Sequence, residues 1–129
     1  MILDTDVIIW YLRGNEAAKG IIEKSLPFSI SVITYMELIQ GMRNAEETRL
    51  FQRQMQKWNV DIIQIDKEIS SRAMFYIQEY ARSHSMMLAD AFIAATVVQT
   101  GETLLTANDK HYKFVPTIAC KKFNPHDLP

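Results

Sequence analysis

The sequence predicts an α/β fold with a mostly parallel central sheet of about five strands, flanked by helices. Short apolar runs of strand length alternate along the chain with segments whose apolar residues recur at helical spacing. The length of 129 residues suits one domain, and no repeat, low-complexity tract or linker divides the sequence. We therefore expect a single domain over residues 1–129.

The N-terminal elements follow from apolar runs and from the residues that interrupt them. A short buried strand is predicted over residues 2–4, and the polar residues after it can cap a short apolar helix over 7–12. Gly14 ends that helix. A second helix over 15–24 carries its alanines and isoleucines on one side and stops before Pro27.

The middle of the chain repeats the alternation of strand and helix. Residues 28–32 alternate between polar and apolar side chains, which predicts a second strand. A helix over 34–42 follows, and after a polar break a longer helix covers 45–58. Residues 60–65 form the third predicted strand, which ends at Asp66, a residue suited to cap the next helix.

The C-terminal elements complete the predicted sheet. Apolar residues recur at helical spacing over 66–83, and a helix over 87–99 is apolar nearly all round and ends near Gly101. Strands are predicted over 103–106 and 117–120. Because strands separated by helices pair in parallel, the helices should cover both faces of the sheet.

The composition limits the functional classes. Hydrophobic residues make up 48% and charged residues 22%, which is globular, and the net charge of -1 neither indicates nor excludes a nucleic-acid partner. The single cysteine, Cys120, rules out an intrachain disulfide and should fill the core near the last strand. No secretory signal or apolar window of about 18 residues is visible, so we expect a cytoplasmic protein without a membrane span.

Asp90 is the acid that local structure explains least. It lies in the apolar helix over 87–99, where an unpartnered carboxylate would cost several kcal/mol. The alternative is a first-turn Asp that is stabilised by the helix dipole or paired with a cation. No Lys or Arg lies within one helical turn, which weakens the ion pair and favours metal ligation.

Asp4 ends the first strand and opens a turn into a helix. Capping of that helix, shared with Thr5 and Asp6, is the simple alternative to a functional role. The Asp4-Thr5-Asp6 sequence also resembles the start of haloacid-dehalogenase phosphatases, which use a nucleophilic Asp two residues before an acid/base Asp. That resemblance is confined to these three residues.

The remaining polar candidates also have structural alternatives. Glu37 fits a capping box with Thr34, and Asn108 and Asp109 fit a turn after the fourth strand. Asp4 and the Asn108/Asp109 pair nevertheless follow different strands. Because ligands bind at the carboxyl ends of parallel strands, these residues should meet at one edge of the sheet.

Carboxylates contributed by separate segments suit a hard divalent cation. Mg²⁺ or Mn²⁺ is therefore the expected cofactor, and a bound cation would relieve repulsion between the acids. The three histidines are scattered along the sequence, without the spacing of zinc ligands; they are His84, His111 and His126.

Four ordered motifs resemble the signature of PIN-domain nucleases. The motifs are Ile2-Leu3-Asp4-Thr5-Asp6-Val7, Ser31-Val32-Ile33-Thr34-Tyr35-Met36-Glu37-Leu38-Ile39-Gln40-Gly41, Ala89-Asp90-Ala91-Phe92-Ile93-Ala94-Ala95 and Leu104-Leu105-Thr106-Ala107-Asn108. The resemblance spans essentially the whole chain, and the short length is most similar to VapC toxins of toxin–antitoxin pairs. It implies a PIN-like three-layer sandwich and an Mg²⁺- or Mn²⁺-dependent endoribonuclease, which cuts RNA by water attack to leave a 5′-phosphate and a 3′-hydroxyl.

The resemblance also assigns roles to residues. Asp4, Glu37 and Asp90 match the first three acids of the family and are the implied metal ligands, while Asp6, Thr5 and Thr106 are the implied supporting residues. The family's fourth acid falls on Asn108, with the carboxylate next door at Asp109. Either Asn108 serves as a neutral ligand or water holder, or the loop offers Asp109. We favour Asn108.

Several partners follow from the same resemblance. They are an RNA substrate, a second copy of the chain and a VapB-type antitoxin that inserts a short segment, often with an Arg, into the acidic groove. The apolar faces of the helices over 15–24 and 34–42 are the expected protein-binding surface. The candidates for phosphate contacts are Arg13, Arg43, Lys110, His111 and Lys113, for each of which ordinary surface charge is the favoured alternative. The candidates for base stacking are Trp10, Tyr11 and Tyr112, for which a place in the core is the favoured alternative. The alternatives are an inactive PIN-like interaction module and a phosphatase built on the Asp4-Thr5-Asp6 motif.

Overall fold

A five-stranded sheet forms the centre of the computed structural model, which describes residues 1–127 and leaves the last two residues of the predicted domain outside the described part. The strands are β1 (Ile2–Leu3), β2 (Ser29–Ser31), β3 (Asp61–Ile63), β4 (Thr103–Thr106) and β5 (Ala119–Lys122). The α-helices in the described residues are α1 (Thr5–Leu12), α2 (Glu16–Ser25), α3 (Val32–Gln40), α4 (Ala45–Trp58), α5 (Lys67–Tyr80) and α6 (Leu88–Thr100). A short 3₁₀ helix covers Asp109–His111.

All four strand pairings are parallel, and the strand order is β3-β2-β1-β4-β5. The chain builds outward from β1 to one side through β2 and β3, then returns to the other side of β1 with β4 and β5. The order therefore reverses between β1 and β4. In open parallel sheets, this reversal leaves a crevice at the carboxyl ends of the two strands.

Successive residues of the central strands face opposite sides of the sheet. Ile2 and Leu104 lie in one core layer with residues of α5 and α6. Leu3 and Leu105 lie in the other layer, with residues of α1, α2 and α4. All four side chains are fully buried. Helices thus cover both faces, and the predicted three-layer α/β architecture is confirmed.

The boundary correction that bears most on the site concerns α3. The helix begins at Val32, two residues before the predicted start, because β2 ends at Ser31 and the Ser31 side chain accepts a hydrogen bond from the Ile33 backbone N–H. Ser31 is therefore the N-cap. The capping box predicted for Thr34 and Glu37 is wrong, and Glu37 lies in the body of the helix.

The last strand is also displaced from its predicted position. β5 covers Ala119–Lys122 instead of residues 117–120. Thr117 has a φ of 65°, in the left-handed region that a β-branched residue rarely adopts, so it belongs to the turn before the strand. Pairing then runs from Thr103 opposite Ala119 to Thr106 opposite Lys122.

The apolar face of α2 is only partly available to a partner. Ala18 and Ile22 are fully buried against the sheet layer that contains Leu3 and Leu105, whereas Ala17 and Ile21 are half-buried. The expectation that this helix presents a docking surface stays a prediction for its half-buried residues. Within residues 1–127, no helix has the length and apolar character needed to cross a membrane.

Truncation of a central strand residue should reveal how strongly the fold depends on this sheet. We expect Leu105→Ala to lower the free energy of unfolding by about 3 kcal/mol, because a fully buried leucine is lost from a close-packed layer. Urea denaturation measures the change. Leu50→Ala on α4 is the matched control: its side chain is 53% exposed, and we expect a loss of about 0.5 kcal/mol or less. Equal losses in the two variants would contradict the assignment.

Candidate functional site

The candidate site lies where the sheet order reverses. β1 and β4 pair with Leu3 opposite Leu105, and the ladder continues beyond β1 with a hydrogen bond from the Asp4 N–H to the Leu105 carbonyl, 2.9 Å long. Asp4 is the N-cap of α1 and is only 6% exposed. The pairing therefore fixes a carboxylate at the carboxyl edge of the central strands.

Both oxygens of Asp4 accept hydrogen bonds from neighbouring groups. Oδ1 accepts from the Thr5 N–H and Oδ2 accepts from the Thr106 hydroxyl, each at 2.8 Å. Burial first and the charge of Asp6 second raise the pKa of Asp4 to about 7, against the lowering effect of these donors. At neutral pH, Asp4 is therefore close to the midpoint of its ionisation.

Asp6 lies two residues after Asp4, in the first turn of α1, at the same edge. Its Oδ2 accepts hydrogen bonds from the Ala107 N–H at 3.1 Å and from the Asn108 side-chain amide at 2.9 Å, with the Thr106 hydroxyl at 3.4 Å. Its Oδ1 is buried and has no hydrogen-bond partner among the described residues. Burial raises the pKa of Asp6. A buried carboxylate oxygen without a donor is costly, which marks this position as a place for a water or a cation.

Asn108 and Asp109 have different surroundings. The Asn108 amide donates to Asp6, and its backbone N–H donates to the Thr106 hydroxyl at 3.0 Å. Asp109 is half-buried and opens the 3₁₀ helix. Burial, followed by the negative charge of Asp109, raises the pKa of the half-buried Cys120 thiol on β5. Asn108 is therefore joined to the acids, whereas Asp109 lies near the thiol on the outer strand.

Glu37 reaches the site from α3. The Thr5 hydroxyl donates to Glu37 Oε1 at 2.8 Å and lies 3.0 Å from the hydroxyl of Thr34, which is fully buried. The Glu37 side chain itself is exposed. Because Ser31 caps the helix, capping does not explain this glutamate, and Thr5 links it to the Asp4 end of α1.

Asp90 is the third residue of α6. This helix precedes β4 and runs opposite to it, so its first turn lies at the carboxyl edge with the other acids. The Tyr112 hydroxyl donates to Asp90 Oδ1 at 3.4 Å. Asp90 is half-buried, which corrects the expectation of an enclosed carboxylate. Its N-cap, Met87, offers no side-chain hydrogen bond, so stabilisation of Asp90 by the helix dipole stays available as an alternative.

The four acids therefore belong to one polar edge, connected by neutral donors. Thr5 links Glu37 to Asp4, Thr106 links Asp4 to Asp6, and the Tyr112 hydroxyl contacts Asp90 and Asp4. In the part of the chain that the structure describes, no group of three or more His, Cys, Asp or Glu side chains is arranged so that it could by itself hold a metal ion. The chemistry of the edge is that of hard oxygen donors.

Two residues whose hydroxyl groups contact the site are not recognisable as site residues from the sequence alone. Tyr112 is a base-stacking candidate for which a place in the core is the favoured alternative; it is 1% exposed, so the core alternative is confirmed. Thr34 was assigned to a helix cap, whereas its hydroxyl faces Thr5. The only sequence signal for either was a hydroxyl group within an otherwise apolar motif.

The other predicted contact residues occupy the periphery. Lys110, His111 and Lys113 are exposed beside Asn108. Arg43 is exposed and pairs with Glu47 at 2.7 Å, and Arg13 stands 6.0 Å from the centre of the Trp10 ring. The half-buried Trp10 and Tyr11 pack edge-on against His126 and Trp58, respectively. These roles in RNA binding stay predictions.

A groove of about 830 Å³ extends from the acidic edge between α1, α3 and α4. Glu37 lies in its wall together with mostly apolar side chains and two arginines. The remaining lining residues are Ile9, Tyr11, Leu12, Arg13, Leu38, Gly41, Met42, Arg43, Glu47, Leu50, Phe51 and Gln54. Glu37 is therefore shared between the groove and the hydrogen-bonded acids.

Comparison with known proteins places this geometry in a family. Residues 1–116 match the family model described as PIN domain. Ribonuclease VapC10 of Mycobacterium tuberculosis is 35% identical over 116 residues, which cover 87% of this chain and 85% of that protein. The PIN-domain match over residues 1–116 includes all four acids of the candidate site.

Solved structures agree with the sequence matches. A toxin–antitoxin complex from Klebsiella pneumoniae contains a chain that is 29% identical, with a TM-score of 0.74 and 98% of both chains covered. FitAcB from Neisseria gonorrhoeae is 25% identical, with a TM-score of 0.72, and the match covers 98% of this chain and 99% of that one. The PIN-domain assignment replaces the phosphatase interpretation of Asp4-Thr5-Asp6. The chain belongs to the PIN-domain family and is a homologue of the VapC ribonucleases.

Proposed function

We propose that this chain is a divalent-metal-dependent endoribonuclease and the cytoplasmic toxin of a VapBC-type pair. The observation that carries the proposal is the buried Asp4, held at the reversal of the sheet order and connected to Glu37 through Thr5 and to Asp6 through Thr106, with Asp90 at the same edge of the sheet. Homology to ribonuclease VapC10 supports RNA as the substrate. Burial of a carboxylate is costly, and in a family member without catalysis this cost would have no functional benefit.

The donor set fits Mg²⁺ or Mn²⁺. We assign Asp4, Asp90 and Glu37 as the residues that hold the cation. Mg²⁺ keeps several waters and needs only one or two direct carboxylates, so the edge does not have to form a closed cage of three acids. The buried, unpartnered Asp6 Oδ1 supports a water or cation at this edge.

Each residue of the edge has a distinct part in the proposed reaction. When bound, the cation would supply a lowered water pKa and a Lewis acid for the phosphate oxygen. Glu37 receives one hydrogen bond at Oε1 from Thr5, which leaves Oε2 to hold the cation or a water bound to it. Thr106 orients Asp4, and Asn108 holds Asp6. In this proposal, Asn108 occupies the position of the family's fourth acid and, as a neutral residue, holds Asp6 in place.

The RNA is proposed to approach over the 3₁₀ helix. Lys110, His111 and Lys113 are exposed there, next to Asn108, and their charges can contact the phosphates on either side of the cut. The overall charge of -1 leaves binding to depend on this local basic surface. Arg43 is a weaker candidate because Glu47 already pairs with it.

The groove between α1, α3 and α4 is the proposed seat of a VapB-type antitoxin segment. Its walls are mostly apolar, which suits an amphipathic peptide, and its Glu37 can receive an arginine from that peptide. The related Klebsiella pneumoniae structure is a toxin–antitoxin complex, which supports a partner of this class. A second copy of the chain is the other proposed partner.

Removal of one carboxylate should distinguish a catalytic site from an inactive PIN-like interaction module. We expect Asp90→Asn to lower Mg²⁺-dependent RNA cleavage by about 10²-fold or more, because a cation-holding charge is lost. Cleavage is measured with RNA, single-stranded DNA and a phosphomonoester, each with Mg²⁺ and with EDTA. Metal-dependent cleavage of RNA alone supports the proposal.

Asp109→Asn is the matched control for this experiment. It is the same Asp-to-Asn change, made at the residue next to Asn108, which fills the position of the family's fourth acid. We expect its activity to stay within about twofold of the unsubstituted chain, whereas Asn108→Ala lowers activity by about tenfold through loss of the amide that holds Asp6. Full activity of Asp90→Asn would refute the assignment of Asp90. Loss of activity only in Asp109→Asn would place the fourth ligand at Asp109.

The raised pKa of Asp4 predicts a stability that depends on pH in the metal-free protein. Unfolding restores the ordinary pKa of 3.8, so between about pH 4 and pH 7 the native state binds more protons than the unfolded state. Stability therefore falls as pH rises through this window. In EDTA at pH 8, we expect Asp4→Asn to increase the free energy of unfolding by on the order of 2 kcal/mol and to change it little at pH 5.

Denaturant unfolding at both pH values measures this effect. The asparagine can keep both hydrogen bonds of Asp4, accepting from the Thr5 N–H and donating to the Thr106 oxygen. Asp61→Asn, an exposed residue of β3, is the control that should leave the pH dependence unchanged. We expect Mn²⁺ to stabilise the unsubstituted chain and not Asp4→Asn. A metal-free Asp4→Asn that is less stable at pH 8 would contradict the pKa assignment.

A charge in the groove should separate antitoxin binding from RNA cleavage. We expect Leu50→Asp to abolish co-purification with a VapB-type antitoxin expressed from the neighbouring reading frame, because a carboxylate would lie against its apolar segment. RNA cleavage by the isolated variant should persist. Leu26→Asp, at an exposed leucine outside the groove, is the control. Retention of the complex by Leu50→Asp would exclude this groove as the seat.

A further inference from the structure

The side chain of Tyr112 is held rigidly in the core. It is 1% exposed and shares a core layer with Ala91, Ile93, Leu104 and Val115. The Tyr112 N–H donates to the Asp109 carbonyl at 2.9 Å, and the Val115 N–H donates to the Tyr112 carbonyl at 2.8 Å. Because packing and backbone contacts both restrict this residue, the fold determines where its hydroxyl points.

That hydroxyl points to two carboxylates that come from distant parts of the chain. It lies 3.4 Å from Asp90 Oδ1, and it is close enough to Asp4 for the charge of that carboxylate to act on it. Burial and the negative charges of Asp4 and Asp90 raise the pKa of Tyr112 far above its usual range. The hydroxyl therefore keeps its proton at every working pH. It is a neutral donor with one hydrogen for two acidic neighbours.

Core packing alone does not account for this hydroxyl. A phenylalanine would fill the same apolar space, and a buried hydroxyl is costly unless it is hydrogen-bonded. Its hydrogen-bond partner is Asp90, one of the acids assigned to hold the cation, and the charge of Asp4 also acts on it. Stacking on an RNA base is excluded because the ring is buried.

We propose that Tyr112 is a positioning residue whose hydroxyl orients the carboxylate of Asp90 for a divalent cation. This inference rests on the proposed function. Asp4 Oδ1 and Oδ2 are already oriented by Thr5 and Thr106. Asp90 has Tyr112 as its side-chain donor, so its orientation depends most on the phenol. Hydrogen bonds of this kind to metal-holding groups are worth about 10- to 100-fold in metal affinity or activity.

Tyr112→Phe tests the proposal, with Tyr76→Phe as the matched control. Tyr76 is a buried tyrosine of the same core layer, on α5, so its substitution removes a core hydroxyl at another place. We expect calorimetry to give an Mn²⁺ dissociation constant about tenfold higher for Tyr112→Phe and unchanged for Tyr76→Phe. In RNA cleavage, Tyr112→Phe should need correspondingly more Mn²⁺ for half-maximal rate, and saturating Mn²⁺ should restore most of the activity.

The outcomes separate this inference from the proposed function. If the unsubstituted chain does not bind Mn²⁺, the proposed function and the role of Tyr112 both fail. If it binds Mn²⁺ and Tyr112→Phe binds equally well, the role of Tyr112 alone is refuted. Equal weakening in Tyr76→Phe would also refute it, because the effect would then be general loosening of the core. Thermal melting in EDTA at pH 5 checks that both variants are folded.

Discussion

The parallel pairing of β1 with β4 is the constraint on which the rest of the structure depends. It joins the first residues of the chain to a strand a hundred residues later, and it closes with Asp4 beside Thr106. The carboxyl ends of these strands bring α1, α3 and α6 to a common edge. A shift of one residue in this register would exchange the buried faces of Leu3 and Leu105 and move Asp4 away from the crevice.

The energetic character of the edge follows from that constraint. Asp4 is buried by the sheet and crowded by the charge of Asp6, and the neutral donors Thr5 and Thr106 offset only part of the cost. The metal-free fold therefore carries an unfavourable electrostatic energy that a cation would remove. This is the usual relation between a binding site and the stability of the protein that carries it.

The sequence was sufficient for the architecture because the apolar periodicity and the order of strands and helices are local signals. The same holds for the Asp66 cap, which the structure confirms. The start of α3 could not be read in this way, since Ser31 and Thr34 are both good caps. The end of β2 decides between them, and it depends on pairing with β1 and β3.

The site was harder to predict than the fold. Asp4 and Asp90 stand out as acids in apolar segments, but the direction of an amide or a phenol is set by packing between distant segments. Asn108 turns its amide to Asp6, and Tyr112 is enclosed between α6 and the end of the sheet. No local pattern in the sequence distinguishes these arrangements from a surface turn and a surface aromatic.

The double position of Glu37, in the wall of the groove and in hydrogen-bond contact with Thr5, bears on how such a protein can evolve. Under the proposed function, replacement of this glutamate would weaken both antitoxin binding and RNA cleavage. Changes in binding specificity must then fall on the apolar wall of the groove, where a compensating substitution in the antitoxin can restore the complex. Toxin and antitoxin would diverge as matched pairs around an acidic edge that stays constant.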